Sequence, residues 1–294
     1  MKAGNIITPG AALVLIAGIF GLSATAAGGA AIKCAYTQAG PAGLAGNRLD
    51  IRVNRQEEST AVYAMPGGRI RVTDDQRMRD LRCKGRKPTV TNIDRISYKA
   101  ARSAENTNFT IVEAHGFAGI SIRASGRMLT YGTVGSDEDD TVTAGVVDAV
   151  VGLDYGPDPA GADVRIKAKN ITLINVLHDG DDHFYGDGRG GPFDGPLKGA
   201  WTTVYGEDGN DEIVGGIDED IIDGGPGRDT LSGAASADIL SGGPGIDAFD
   251  GGGGNDEIDA IDRKAETVEC GKGKDLAAID LSDEDSNCES FSYP

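Results

Sequence analysis

Residues 206–259 read GEDGNDEIV, GGIDEDIID, GGPGRDTLS, GAASADILS, GGPGIDAFD and GGGGNDEID, six nonapeptides without a gap. Every copy has Gly first, Asp sixth and an apolar residue eighth. The sixth positions are Asp211, Asp220, Asp229, Asp238, Asp247 and Asp256; the eighth are Ile213, Ile222, Leu231, Leu240, Phe249 and Ile258. A short fixed period specifies a solenoid, in which each unit buries its apolar residue only by stacking on its neighbours. The glycines permit a tight turn with positive φ, and the last three residues form a short strand whose single inward side chain is the eighth. Two copies therefore make one flattened coil. Copies one, three and five stack along one edge, and copies two, four and six along the other.

This stacking has a chemical consequence. Strands in adjacent coils lie roughly 4.7–4.9 Å apart, and calcium takes six to eight oxygens at about 2.3–2.6 Å. An ion between two coils is thus within bonding distance of both, with the sixth-position carboxylates and the backbone carbonyls of the turn as ligands. Asp211, Asp229 and Asp247 are expected on one edge; Asp220, Asp238 and Asp256 on the other. The donors are all hard oxygens with no patterned His or Cys, which excludes zinc and copper, and a carbonyl-rich cage suits magnesium badly. Copy four places Ala234, Ala235 and Ser236 where turn residues belong, and copy two has Asp218 at the fourth position. The edge of Asp211, Asp229 and Asp247 is therefore expected to bind more tightly.

Weaker echoes flank the array. Residues 135–142 keep Gly first, Asp140 sixth and Val142 eighth, and residues 180–184 keep a fourth-position Gly, Asp182 and Phe184. Both are read as decayed repeats, with the Gly- and Pro-rich stretch 186–199 as a loop between them and the array. Downstream, residues 260–269 read as an insertion before one last copy, CGKGKDLA, in which Asp275 is sixth. The polar end that follows suits a solenoid terminus, where an open strand edge must be blunted.

Upstream the pattern is β-like without a clear period. Residues 49–53, 69–72, 109–112, 120–122 and 164–166 alternate apolar and polar, while 142–153 reads equally as a short helix or a buried strand. A basic cluster, Arg77, Arg79, Arg82, Lys84, Arg86 and Lys87, reads as a solvated face.

The whole chain has 294 residues, a formal net charge of −18, 45 glycines and 5% aromatics. Such acidity excludes nucleic acid and anionic membrane as electrostatic partners and favours a cation. Lys2, an apolar run from Ala11 to Phe20 and the small residues from Ser23 to Ala27 predict a secretory signal cleaved near Ala26 or Ala27. The run is shorter than the ~20 residues of a span, so no stable membrane insertion is expected after cleavage. Four cysteines in an exported chain imply two disulfides; of three pairings, local spacing favours Cys34 with Cys83 and Cys270 with Cys288. His115, His178 and His183 give no H-E-x-x-H zinc helix, and no G-x-S-x-G elbow is present. His178 and His183 read as surface residues in an acidic turn.

At the nonapeptides the chain resembles the RTX, or haemolysin-type calcium-binding repeat, family, whose repeats form a parallel β-roll. The resemblance is close over 206–259, looser over 135–280 and absent before about 130. The segment from Val268 to Glu289 also looks like the end of small secreted bacterial proteins with such repeats. Family members include toxins, proteases, lipases and adhesins exported by a machine that reads a C-terminal signal. The N-terminal signal and the cysteines here depart from that pattern and argue against a pore-forming toxin.

The expected fold is all-β: a signal peptide (1–26), a β-rich N-terminal region (28–90), a degenerate β-solenoid (91–205), an RTX-type β-roll (206–259) and a disulfide-closed cap (260–294). The expected function is that of a secreted, non-catalytic calcium-binding protein that folds or rigidifies with Ca2+. The alternative is a calcium-stabilised polysaccharide lyase or epimerase, or an adhesin, with its active or binding surface in residues 28–200. An extracellular polysaccharide or cell-surface partner stays open.

Overall fold

Strand length changes along the chain and sets the shape of the fold. In the first half strands run for six or seven residues and alternate: in Arg48–Val53, Leu49, Ile51 and Val53 are buried while Arg48, Asp50 and Arg52 face outward. Over 206–259 the glycine turns leave strands of three or four residues, each with a deeply buried side chain at the eighth position. The computed structural model describes residues 170–292 continuously. Before them it describes 32–168 apart from 38–46, 54–58, 66–67, 75–78, 86, 90–94, 102–106, 113–120, 127, 136–138, 148–149 and 156–163. The expected signal peptide, Arg77, Arg86 and His115 lie outside the described residues.

The strands form two facing sheets, one of 14 strands and one of 12. The chain alternates between them, so strands within each sheet are mostly parallel and in register. In the larger sheet Glu212, Thr230 and Ala248 pair in sequence; in the smaller, Ile221, Ile239 and Glu257 do. This is the coil of two nonapeptides expected above. Both sheets run through residues 90 and 205: Arg48–Val53 pairs in parallel with Arg95–Ala100, and Asn170–Val176 with Ala200–Tyr205.

Among the described residues antiparallel strand pairing occurs in two places. At the N-terminal end Ile32–Thr37 pairs with Arg48–Val53, and Ser59–Met65 with Arg69–Asp74, which in turn pairs with Arg79–Asp80. Lys84 then bridges to Ala35, and the Cys34–Cys83 disulfide ties this end together. The second place resolves the ambiguous segment 142–153: Thr141–Val147 and Val150–Tyr155 are antiparallel strands. The stretch 186–199 leaves the coil as expected, and Gly195–Pro196 returns to pair with Thr141–Val147. The second disulfide, Cys270–Cys288, closes the C-terminal end.

The core is one continuous spine between the sheets. In the wide first half it is filled by aromatics: Tyr98 stacks on Phe109 with centroids 4.4 Å apart, and Phe109 meets Tyr131 edge-on at 5.8 Å. In the narrow second half Phe184, Ile213, Leu231, Phe249 and Val268 stack from one sheet, facing Val204, Ile222, Leu240, Ile258 and Ala277 from the other; all are buried. Full burial of one such aliphatic or aromatic side chain contributes about 1.5–3 kcal/mol, so a three-residue strand is held by its neighbours, not by itself.

Candidate metal centre

The sixth-position aspartates form two columns, one along each edge. On the first, the Asp211 N–H donates to Asp229 Oδ1 at 2.8 Å and the Asp229 N–H to Asp247 Oδ1 at 2.8 Å. The decayed copies belong to the same column: the Asp140 N–H donates to Asp182 Oδ1 at 2.6 Å and the Asp182 N–H to Asp211 Oδ1 at 2.8 Å. On the second, Asp220 donates to Asp238, Asp238 to Asp256 and Asp256 to Asp275 at 2.8–2.9 Å. The column ends where the Asp275 N–H donates to Glu289 Oε2 at 3.0 Å. All nine predicted aspartates thus fall into these two files, and each is buried.

Oδ1 of Asp182, Asp211, Asp229, Asp247, Asp238, Asp256 and Asp275 is used in this ladder, and the other oxygen explains why a ligand is wanted. Oδ2 of Asp182, Asp211, Asp229, Asp238, Asp256 and Asp275 is buried with no hydrogen-bond partner. An ionised oxygen buried without a donor or a cation is costly. The chain is also shaped around it. A Cβ on Gly224 would lie 2.5 Å from Asp229 Oδ2, one on Gly242 2.5 Å from Asp247 Oδ2, and one on Gly206 would run into Asp211 Oδ2. The first-position glycine is therefore required by the approach of the sixth-position carboxylate. The donor set is all oxygen, as calcium prefers, so these residues fit the ion.

Burial also raises the affinity of several of these carboxylates for protons. Burial pushes Asp211 up to about 6, Asp182, Asp220 and Asp229 to about 7, and Asp238 to about 8. The backbone N–H that each receives pulls the other way, and neighbouring carboxylates add to the rise. Asp247 and Asp256 are raised for the same first reason. Carboxylates with pKa values this high bind metal in competition with protons.

The two edges differ. On the first, the fourth-position residues Gly209, Gly227 and Gly245 stack backbone on backbone. On the second, the stacked residues are the third-position Ala235, Gly253 and Lys272, and Ala234 (φ 70°) and Ser236 (φ 78°) occupy left-handed backbone, as Glu207 (φ 73°) and Arg263 (φ 75°) do on the first. The Gly216 N–H donates to Asp220 Oδ2 at 2.6 Å, and the oxygen left without a partner in Asp220 is Oδ1. Asp218 accepts from the Gly199 N–H and so serves the loop.

Some residues of this arrangement are missed by the repeat pattern. The segment 260–269 is a turn of the first column, one residue longer than a nonapeptide, since Thr267–Glu269 pairs in parallel with Ala248–Asp250. The reading of it as an insertion is corrected: the extra residue and a Glu266 in place of Asp conceal the repeat, while Val268, two residues after Glu266, keeps the apolar eighth. Glu289 has no repeat around it to reveal it. Of the histidines, His183 lies half-exposed 3.8 Å from Glu212. His178 is mostly covered, contrary to its reading as a surface residue, because its left-handed backbone (φ 86°) turns it into the second position of the turn 177–185.

The fold and these two columns define a calcium-binding β-solenoid. Residues 201–231 and 232–260 match the RTX calcium-binding nonapeptide repeat (4 copies), so the chain carries RTX repeats, which bind Ca2+. No curated protein and no solved structure matches the chain. Among the described residues no helix is long and apolar enough to cross a membrane.

Proposed function

We propose that this chain is a secreted, non-catalytic calcium-binding protein whose turns from 206 to 278 take up calcium between successive coils and become ordered on doing so. The observation that carries the reading is the file of buried, unpartnered carboxylate oxygens on each edge. Asp211, Asp229 and Asp247 would hold ions on one edge, and Asp220, Asp238, Asp256 and Asp275 on the other, with Asp140 and Asp182 extending the first. Bound calcium would supply the positive charge that balances these buried carboxylates. The chain's own part is to hold them in line through its backbone N–H groups and to exclude side-chain bulk with glycine. Two disulfides and repeats of a type common in extracellular proteins support export.

Ordering on binding follows from charge and entropy. Deprotonated, the stacked aspartates repel one another in a chain of net charge −18, and the glycines lose more freedom on folding than any other residue. Calorimetric titration of single variants tests the assignment. Asp229→Asn is expected to weaken calcium binding by about tenfold or more, because a charge lost at ~4 Å is worth about 4 kcal/mol at an effective dielectric of 20 and tenfold needs only about 1.4. Asp220→Asn should cost less, because Asp220 heads its column and has Thr202, not an aspartate, on its other side. Unchanged affinity in Asp229→Asn would remove the first column from the binding site.

A further inference from the structure

We infer that the C-terminal end of the solenoid, beyond the six regular nonapeptides, holds a further divalent-cation site, suited to calcium, formed by Asp262, Glu266 and Asp280. One carboxylate oxygen from each lies within 4.8 Å of those from the other two, although the residues come from two successive turns. Asp262 and Asp280 are fixed in place by the backbone. Asp262 Oδ2 accepts from the Gly245 N–H at 2.8 Å and Oδ1 from the Lys264 N–H at 2.7 Å; Asp280 Oδ2 accepts from the Arg263 N–H at 2.6 Å and Oδ1 from the Ser282 hydroxyl at 2.8 Å. Each of these oxygens keeps a lone pair for a metal.

Glu266 is the observation that points to a ligand. Its side chain is 2% exposed, and neither Oε1 nor Oε2 has a hydrogen-bond partner. Its neighbours are carboxylates, Asp262 and Asp283, which offer a donor only if protonated. Asp283 is itself engaged by the Asp280 N–H at 2.7 Å and the Glu266 N–H at 3.3 Å. Removing such an acid from water with no donor or cation facing it is unfavourable by several kcal/mol. In the absence of metal Glu266 is pushed up to about 8, first by burial and then by Asp283 and Asp262. The alternative to a cation is thus a shared proton. A carboxylate-only donor set selects a hard ion, and calcium tolerates the irregular geometry of a cap better than magnesium, which demands near-ideal octahedra.

The site lies beside the Cys270–Cys288 disulfide in sequence and joins the turn 260–269 to the turn after it. It would close the open end of the solenoid where the last strand of the larger sheet, Glu284–Ser286, buries no side chain. Equilibrium dialysis of the full chain against calcium chloride counts the ions. Glu266→Gln and Asp280→Asn are each expected to bind one ion fewer per chain than the unaltered protein, with the β signal in saturating calcium retained. An unchanged count in both variants overturns the inference in favour of the shared proton. Loss of several ions together with the β signal also overturns it, since Glu266 would then support the fold of the whole array and not one ion. An unaltered chain that binds a single ion, lost in Glu266→Gln, would sustain this site and refute binding by the repeats.

Discussion

Gly227→Ala is expected to break the solenoid, and Gly253→Ala to leave it intact. Gly227 is the fourth residue of copy three, where its backbone lies directly over that of Gly209; a Cβ there would collide with the Gly209 carbonyl oxygen and come within 3.2 Å of Asp229 Oδ1. Neither neighbour is the loose end of a flexible side chain. The coils must separate, and separation disrupts the Asp211 to Asp229 ladder and the Ile213 to Leu231 contact together. Overpacking of this kind costs about 1–3 kcal/mol, before any loss of calcium. At Gly253 a Cβ meets nothing within 4 Å, and its φ is not in the left-handed region. That change should stay within about 0.5 kcal/mol, as for ordinary surface positions. Thermal unfolding in saturating calcium separates the two; equal midpoints would show that the stacking of fourth-position glycines does not support the coil.

Acid should substitute for calcium in holding the metal-free chain. Asp182, Asp211, Asp220, Asp229 and Asp238 have folded-state values of about 6–8 against 3.8 when unperturbed. A raised carboxyl pKa means that the folded chain binds more protons than the unfolded one between these limits. The stabilisation is fully present below 3.8 and is lost as pH rises through 6 to 8. In chelator, therefore, the unfolding midpoint is expected to be higher at pH 5 than at pH 8.5, moving about 2–4 °C for each kcal/mol gained in a domain of this size. With calcium the order reverses, because protons compete for the same oxygens and apparent affinity falls as pH drops through the same window. Melting curves at the two pH values, with and without calcium, check both halves. A metal-free midpoint that rises with pH would show that the buried aspartates are ionised and satisfied in some other way.

The two columns are legible in the residues because the sixth and eighth positions recur in every copy from Asp211 to Asp256. The spacing alone puts alternate copies on opposite edges, and Ala234, Ser236 and Asp218 stand out in the sequence as departures from the phrase. Asp140 and Asp182 keep enough of the phrase to be found as echoes. Glu266 escapes because one added residue shifts the period and a longer acid takes the aspartate's place, so only the Glu266–Val268 interval preserves the pattern. The first half is less legible for a different reason. Strands such as Arg48–Val53 and Arg95–Ala100 show alternation but have no repeated glycine to mark the coil, and what registers them is the packing of Tyr98, Phe109 and Tyr131 between sheets. Alternation identifies a strand; it carries no instruction about which distant strand lies beside it. The hairpin of Thr141–Val147 with Val150–Tyr155 is ambiguous alone because its apolar run is buried on both faces of its own chemistry, and apolar runs of that length suit helix and strand alike.

The central claim is that calcium orders the stacked turns, and hydrogen exchange on the full chain at pH 7.5, with excess calcium and with chelator, tests it most directly. The backbone amides of Asp211, Asp229 and Asp238, each donating to the carboxylate of the next coil, are predicted to be protected with calcium and to exchange rapidly without it. The strands Thr107–Val112 and Met128–Val134, held by the aromatic core, should stay protected in both. Equal protection of the repeat amides in calcium and in chelator would contradict the account.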